Sequence, residues 1–572
     1  MDKNINGARL LLNVLLENQI NSVFGYPGGA NLTLYDEIHK QSDILHFLFC
    51  HEQGSVHAAE GYARSTGKIG VVFLTSGPGA TNGVTGIADA MLDSVPLLII
   101  TSQVPSHLIG SDAFQEADII GITKSITKHN YLINNVNDLY QTVNEAIHIA
   151  TTGRPGPVLI DIPKDVLASL ISNNNHIFKA RESYKQNLAI KEESVNQIIE
   201  MMKNAKKPIF YCGGGVVGAG LKDSKVTENL KKIVEITQFP ITTTLMGLGC
   251  YSGDDQLSLH MLGMHGTYEA NMAMHDCDLM IAIGVRFDDR ITGKLAAFSP
   301  NSKKIHIDID PAEINKNVKV DLSIVADCGE IIEKLLNKLH NSKFTKLENW
   351  WDKIKTWQNI KCLDYQQDNE STILPQYALD KLYELTKKYS PIFTTDVGQH
   401  QMWAAQYCKV QKAGHFISSS GLGTMGFGLP AAIGAQLSSA NQVVICITGE
   451  GSFMMNIQEL STIKRYNLPI KIVLLRNNYL GMVRQWQDRF YQGRHTEVDF
   501  SAICPDFDIL MSSFGIKSKT ISNPNEIENS IKEMVDYKGA FFLQIEVKRD
   551  ENVYPMIAPN SAHNEIILKD NV

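Results

Sequence analysis

One carboxylate stands between two glycines in Ile447-Thr448-Gly449-Glu450-Gly451-Ser452, where the apolar run VVICIT ends and a helical stretch begins. Glycine on either side lets the backbone turn tightly and come close to a ligand. The helical stretch behind the turn would aim backbone N–H groups at whatever lies there, which favours phosphate. A later apolar run, LPIKIVLLR, closes on Asn477-Asn478. A carboxylate, an amide oxygen and phosphate oxygens together make a hard, all-oxygen site suited to Mg2+. Two ordinary strand-to-helix turns are the alternative. A second carboxylate, Glu52, directly follows the strand-like run HFLFC. Partial removal from water would suit it to proton transfer, and a solvated helix residue is the alternative. His51 and His57 do not share a helix face as the i, i+4 histidines of a zinc protease must, so that chemistry is excluded.

Residues placed at strand ends in this way need open α/β sheets to carry them. Short β-branched runs alternate with helical patterns along most of the chain, which is the signature of parallel sheets covered by helices. Three blocks result. The first contains VVFLTS (71–76), VPLLIITS (95–102) and PVLIDIP (157–163). The second contains KPIFYCGGG (207–215), FPITTTLMG (239–247), DLMIAIG (278–284) and KIHIDID (304–310). The third contains SPIFTTDVG (390–398), NQVVICITGEG (441–451), LPIKIVLLRNN (468–478) and GAFFLQIEV (539–547). Polar passages at 171–194 and 340–375 separate them, and the tryptophans of the second mark it as a packed connector. The expected boundaries are 1–170, 190–340 and 375–555. The first and third blocks share glycine-rich turns at strand ends.

The 572 residues carry a net charge of −8 and no block of Lys and Arg, which gives nucleic acid no footprint. No apolar stretch reaches the ~20 residues of a membrane helix, and the start, MDKNINGARLLLNVLL, lacks the features of a secretory signal. The nine cysteines are dispersed without a CxxC pair, as in a reducing cytoplasm, where most would be buried small hydrophobes. Two GxGxxG runs occur. Gly213 to Gly218 follows a strand, but the next strand, FPITTTLMG, ends without an acidic residue for a ribose. Gly421 to Gly426 has no clear strand before it. An NAD dehydrogenase is not supported, and a nucleotide on the middle block stays open.

Gly449-Glu450-Gly451 followed by Asn477-Asn478 resembles the thiamine-diphosphate motif, GDG followed by NN. FGYPGGANLTLYD (24–36), HEQGSVHAAEGYARSTGK (51–68), TSGPGATNG (75–83), AFQEADIIGI (113–122), GRPGPVLIDIPKDV (153–166), GVRFDDRITG (284–293), GLGTMGFGLPAAIGAQ (421–436) and NNYLGMVRQWQ (477–487) extend the likeness over nearly the whole chain. Together they resemble the catalytic subunits of the acetohydroxyacid (acetolactate) synthase family. FDDR, GMVRQWQ and NVYPMIAPNSAHNE favour its biosynthetic form.

The resemblance implies an α/β fold of three doubly wound parallel-sheet domains of the thiamine-diphosphate enzyme type. These would bind the cofactor's pyrimidine, FAD and the cofactor's diphosphate in turn, in a homodimer or tetramer. It implies that Glu52 bonds the pyrimidine, activating the cofactor for addition to pyruvate, and that Met425 wedges the cofactor into a bent shape. After CO2 leaves, the two-carbon unit joins a second pyruvate or 2-oxobutyrate. Trp486 matches the position favouring the larger acceptor and Arg290 one near the acceptor carboxylate, with Gln115 and Lys164 as further pocket positions. Tyr26, Pro27, Gly28, Val397, Gly398, Gln399, His400, Gly423, Gly449, Gly451, Ser452 and Met482 match cofactor contacts. Glu450, Asn478 and Leu480 match the Mg2+ ligands, and Arg154, His265, Arg286, Asp308 and Asp327 the flavin contacts. The flavin would be structural, and a separate regulatory small subunit is a possible partner.

The chain departs from the family at Glu450, where aspartate is usual. One more carbon–carbon bond adds roughly 1.5 Å of reach. A turn shifted back to suit glutamate, weaker or altered metal preference, and a poorly active relative are the three outcomes, of which the first is expected. Rival readings are another thiamine-diphosphate enzyme, such as a pyruvate oxidase or 2-oxo acid decarboxylase, and a catalytically silent assembly partner.

Overall fold

Runs such as VVFL, LMIAI and VICIT carry no polar alternation, so they can be buried on both faces only inside a helix-covered parallel sheet. The computed structural model describes residues 4–172, 178, 189–340, 342 and 344–569, and places these runs in three six-stranded sheets. The first holds β1 (Ser22–Gly25), β2 (Leu45–Leu48), β3 (Gly70–Leu74), β4 (Leu97–Gln103), β5 (His129–Leu132) and β6 (Pro157–Pro163), in the order β2-β1-β3-β4-β6-β5. The second holds β7 (Pro208–Cys212), β8 (Ile241–Thr243), β9 (Ser258–Met261), β10 (Leu279–Ile283), β11 (Lys303–Asp308) and β12 (Leu322–Val325), ordered β9-β8-β7-β10-β11-β12. The third holds β13 (Ile392–Thr395), β14 (Phe416–Ser418), β15 (Val444–Thr448), β16 (Lys471–Arg476), β17 (Lys517–Ile521) and β18 (Phe541–Glu546), ordered β14-β13-β15-β16-β18-β17. Neighbouring strands run parallel throughout, as in β4 with β6 and β16 with β18.

The first and third sheets therefore share one strand order. The middle sheet has the other common order, which winds outward from β7 in both directions. Each sheet has a central winding reversal, between β1 and β3, between β7 and β10, and between β13 and β15. Open α/β sheets bind ligands outside the carboxyl ends of the strands at such reversals.

Two compact units are present. One comprises Met1–Gln186, Ser419–Asn441 and Ser452–Ile470; the other comprises Asn187–Ser418, Gln442–Gly451 and Lys471–Val572. Within the first unit, helices α1 (Glu52–Thr66) and α3 (Gly428–Ser438) cross with their backbones in contact. A Cβ on Gly61 would lie 2.1 Å from the Ala431 carbonyl oxygen, and one on Gly434 1.8 Å from that of Ala58. Glycine costs a helix ~1 kcal/mol relative to alanine, and this crossing explains why it is kept here.

Strand β2 matches the strand-like run HFLFC, whereas β1, β5, β9, β12, β14 and β17 were not foreseen as separate strands. Most are three or four residues long, and LSIV and KSKTI mix polar with apolar residues. Strand β14 corrects the reading of Gly421–Gly426, which does follow a strand. The polar passage at 171–194 falls largely outside the described residues. In the second passage Glu348–Gln358 forms a helix that buries Trp350 and Trp357, a packed connector as expected. Seven cysteines are buried, while Cys50 is exposed and Cys504 half-buried.

Replacing Gly434 by alanine sets a new methyl against backbone that has no rotamer to move. The expected loss is about 3 kcal/mol, less the helix-propensity gain. An unchanged denaturation midpoint would mean that the two helices are not locked together.

Candidate active site

In the first unit, Glu52 is the first residue of α1. His51 caps the helix by accepting the Gln53 backbone N–H through Nδ1 at 3.1 Å. The Glu52 carboxylate is half-buried, and its Oε2 accepts from Asn82 Nδ2 at 3.0 Å. A Cβ on Gly79 would come within 3.2 Å of the other oxygen, so the glycine keeps that side open. Gly77, with φ of +58°, lies against the backbone of Gln115, itself at φ +61°. Glu52, Gly77, Gly79, Asn82 and Gln115 thus gather beyond the end of β3. Tyr26, Pro27 and Gly28 follow β1 across the same winding reversal. Gly28 packs on Thr75, which leaves no room for a side chain. Arg154 donates to Ser94 Oγ at 2.9 Å, and Lys164 is exposed at the end of β6. Gly423 is exposed and Met425 half-buried in the segment leading to α3.

In the second unit, the turns after β13, β15 and β16 meet. Val397, Gly398, Gln399 and His400 follow β13; Gly449, Glu450 and Gly451 follow β15; Asn477 to Met482 follow β16. A Cβ on Gly449 would stand 3.0 Å from His400 Nδ1, and one on Gly481 2.1 Å from Gln399 Oε1. Gln399 Nε2 donates to Gln485 Oε1 at 2.8 Å and to the Glu551 carbonyl at 3.0 Å, which fixes the turn. Ser452 belongs to the first unit.

Glu450 is 1% exposed, and its Oε1 accepts the Asn478 backbone N–H at 2.6 Å. Burial pushes its carboxyl up to about 7, against backbone N–H groups and the Arg476 guanidinium, which pull the other way. The longer glutamate arm therefore spans from β15 to the β16 turn. Asn478, at φ +57°, departs from the expected geometry because its Oδ1 accepts from Arg476 Nε at 2.9 Å. Its amide oxygen is thus already held by a cation. Asn477 Oδ1 accepts only a neutral backbone N–H, that of Tyr479, at 3.0 Å, and is the more available donor.

Arg290 lies over the Trp486 ring with Cζ 5.8 Å from its centre, so two residues far apart in sequence are brought together. In the middle sheet, Gly213, Gly215 and Gly284 pack backbone against backbone where β7 and β10 part. Asp308 ends β11, and Arg286 and Asp327 follow β10 and β12, on the same carboxyl edge. Asp308 accepts the Asp310 N–H at 2.8 Å, and Asp327 caps a helix through the Gly329 N–H. His265 is buried near the Pro555 carbonyl, and burial lowers its ring to about 4.

Models of the thiamine pyrophosphate enzyme match three segments: the N-terminal TPP binding domain at residues 5–122, the central domain at 195–335 and the C-terminal TPP binding domain at 396–545. The acetolactate synthase large subunit of Haemophilus influenzae is 44% identical over 99% of this chain and 98% of its own length. Isozyme 3 of Escherichia coli K12 is 43% identical over 99% and 98%, and the Pyropia yezoensis large subunit 45% over 98% and 95%. The chain belongs to the acetolactate synthase large-subunit family.

For this family member the cofactor sites can be tested against atoms. His400 Nε2 is buried without a hydrogen-bond partner among the described residues, and a diphosphate in that turn would supply one. Glu450, buried and met by neutral backbone donors, is a carboxylate that a divalent cation would neutralise. The residues fit both groups.

Sequence reasoning missed Glu459. This residue is fully buried and accepts the backbone N–H groups of Cys50 and His51 at 3.1–3.2 Å, and Thr462 Oγ1 at 2.6 Å. It holds the chain just before Glu52, and a Cβ on Gly54 would strike it at 2.6 Å. Nearby, Tyr466 Oη accepts the Leu48 N–H at 2.7 Å. Gly54, two residues after Glu52, was the one local signal of a close neighbour.

Burial pushes the Glu459 carboxyl up to about 7 from an ordinary value of 4.5. The folded protein then keeps a proton that the unfolded chain has lost, so stability from this group falls as pH rises through that window. Relative to wild type, Glu459→Gln is expected to gain about 3 kcal/mol between about pH 4.5 and pH 7.5. Denaturant midpoints at both pH values check this, and parallel curves would contradict it.

Proposed function

We propose that this chain is the catalytic subunit of an acetolactate synthase. It decarboxylates pyruvate and joins the two-carbon unit to a second pyruvate or to 2-oxobutyrate, serving synthesis of valine, leucine and isoleucine. Near-complete alignment with curated large subunits carries this reading. Two carboxylates placed at matching winding reversals, Glu52 in the first sheet and Glu450 in the third, support it.

Thiamine diphosphate, when bound, supplies the electron sink that lets a 2-oxo acid lose CO2. Glu52 holds or moves a proton at its free Oε1, while Asn82 fixes the other oxygen. Glu450, with the amide oxygen of Asn477 or Asn478 and the Leu480 carbonyl, would hold Mg2+, which would offset the negative charge of a diphosphate. Gln399, His400 and the backbone of Gly449 and Gly451 line that turn. Met425 packs against the cofactor. Arg290 receives the acceptor carboxylate, and the Trp486 ring beside it contacts the acceptor side chain. His265, Arg286, Asp308 and Asp327 hold FAD on the middle sheet, where it keeps structure. The working form is at least a homodimer, and the words "large subunit" in the relatives' names support a regulatory small subunit as partner.

Acetolactate formed from pyruvate by purified protein, with thiamine diphosphate, Mg2+ and FAD, tests the reading. Wild type is expected to be active, and Glu52→Gln to lose at least about 100-fold in kcat. Glu450→Asp loses roughly 1.5 Å of reach in a turn built for glutamate, and should raise the Mg2+ requirement about tenfold. Acetaldehyde or acetyl phosphate in place of acetolactate would overturn the assignment.

A further inference from the structure

Helix α2 (Val84–Asp93) presents two fully buried or nearly buried carboxylates to residues 419–424, the segment that ends at Met425. Asp89 Oδ1 accepts from Ser419 Oγ at 2.5 Å and Thr424 Oγ1 at 2.9 Å. Asp93 accepts the backbone N–H of Ser420 through Oδ2 at 2.9 Å and that of Gly421 through Oδ1 at 2.6 Å. The Thr424 N–H closes the loop on Ser419 Oγ at 2.7 Å. Gly421 is glycine because a Cβ would lie 2.8 Å from Leu92 Cβ and 3.0 Å from Asp93 Oδ1. On the far side, Asn456 Nδ2 donates to the Gly426 carbonyl at 2.6 Å.

Behind Asp89 lies Glu60 of α1, wholly buried, with His57 Nδ1 at 2.9 Å from its Oε1. The remaining oxygens, Glu60 Oε2 and Asp89 Oδ2, have no hydrogen-bond partner among the described residues, and the two carboxyls approach to within 4.8 Å of each other. Two buried carboxylates this close would repel each other, which favours the neutral acid at Glu60. Burial and the nearby Asp89 and Asp93 raise Glu60 and place the proton there, while burial keeps His57 neutral. The groups facing the pair are His57 and Arg64 of α1, Asp93 of α2, and the hydroxyls of Ser419 and Thr424. His57, Glu60 and Asp89 also have metal-ligand spacing, and a proton on Glu60 would answer the same crowding of charge.

We infer that Asp93 and the Glu60–Asp89 pair are positioning residues, which set the Met425 backbone through the 419–424 segment. This rests on the proposed role of Met425 against thiamine diphosphate. The neutral Glu60 acid puts no second charge beside Asp89, whose Oδ1 orients Ser419 and Thr424. Asp93 is the only one of the three that grips backbone N–H groups, so it governs where the turn sits.

The test is a double-mutant cycle in the holoenzyme, with kcat for acetolactate at saturating cofactor and the thiamine-diphosphate binding constant both read. Asp93→Asn, which can accept only one of the two N–H groups, should lower kcat about tenfold with cofactor affinity changed less than about threefold. In a Met425→Ala background the same change should cost nothing further. An equal loss in both backgrounds overturns the inference, whereas a Met425→Ala protein with wild-type kcat overturns the role of Met425 itself. Should Asp93→Asn fail to fold, Gly421→Ala displaces the same turn and takes its place in the cycle. Glu60→Leu should lose kcat and Glu60→Gln restore it, because the amide both donates and accepts as the neutral acid does. A Gln variant as impaired as Leu would show an ionised Glu60 and overturn the proton's placement.

Discussion

A carboxylate removed from water must be met by donors held at fixed places, and much of this protein's local geometry answers that demand. Glu450 draws the backbone after β16 toward the turn after β15. Glu459 gathers the chain in front of Glu52. Asp89 and Asp93 fold residues 419–424 onto helix α2. In each case the donors are mainly backbone N–H groups or hydroxyls, which neutralise little charge but fix position closely. These acids therefore shape turns more than they add stability, and the turns they shape carry the proposed chemistry.

The strand orders give those turns their addresses. Since the first and third sheets wind identically, Tyr26 to Gly28 and Val397 to His400 occupy corresponding places, each after the first strand of its sheet and beside the reversal. Glu52 and Glu450 begin helices at the carboxyl edges of these two sheets. The middle sheet winds differently and brings Gly213 and Gly215 against Gly284 and Val285.

How much of this could be read in advance depended on range. Runs such as LMIAI and VICIT announce buried strands from their own composition. Gly449-Glu450-Gly451 and Asn477-Asn478 announce a polar turn because glycine and paired amides are rare there without cause. Strands of three or four residues, such as FIS and SVFG, carry too few side chains to show a period. The bond from Arg476 to Asn478 could not be read in advance, since Arg476 looks like an ordinary strand end until its guanidinium is seen to fold back. Glu459, Asp89 and Asp93 look like plain helix acids, because their partners lie tens to hundreds of residues away. Arg290 and Trp486 were each singled out by family likeness, and their contact appears only in the structure, as no local pattern links them.

The glycine crossing of α1 and α3 also bears on how the chain is made. Helix α1 leaves the ribosome early, but its partner and the 452–470 segment that completes the same unit come roughly 360 to 400 residues later. At about 5–20 residues per second, the nascent unit waits roughly twenty to eighty seconds with that helix face uncovered. During synthesis the smooth strip around Gly61, together with Ala58, is thus open to whatever protects unfinished chains.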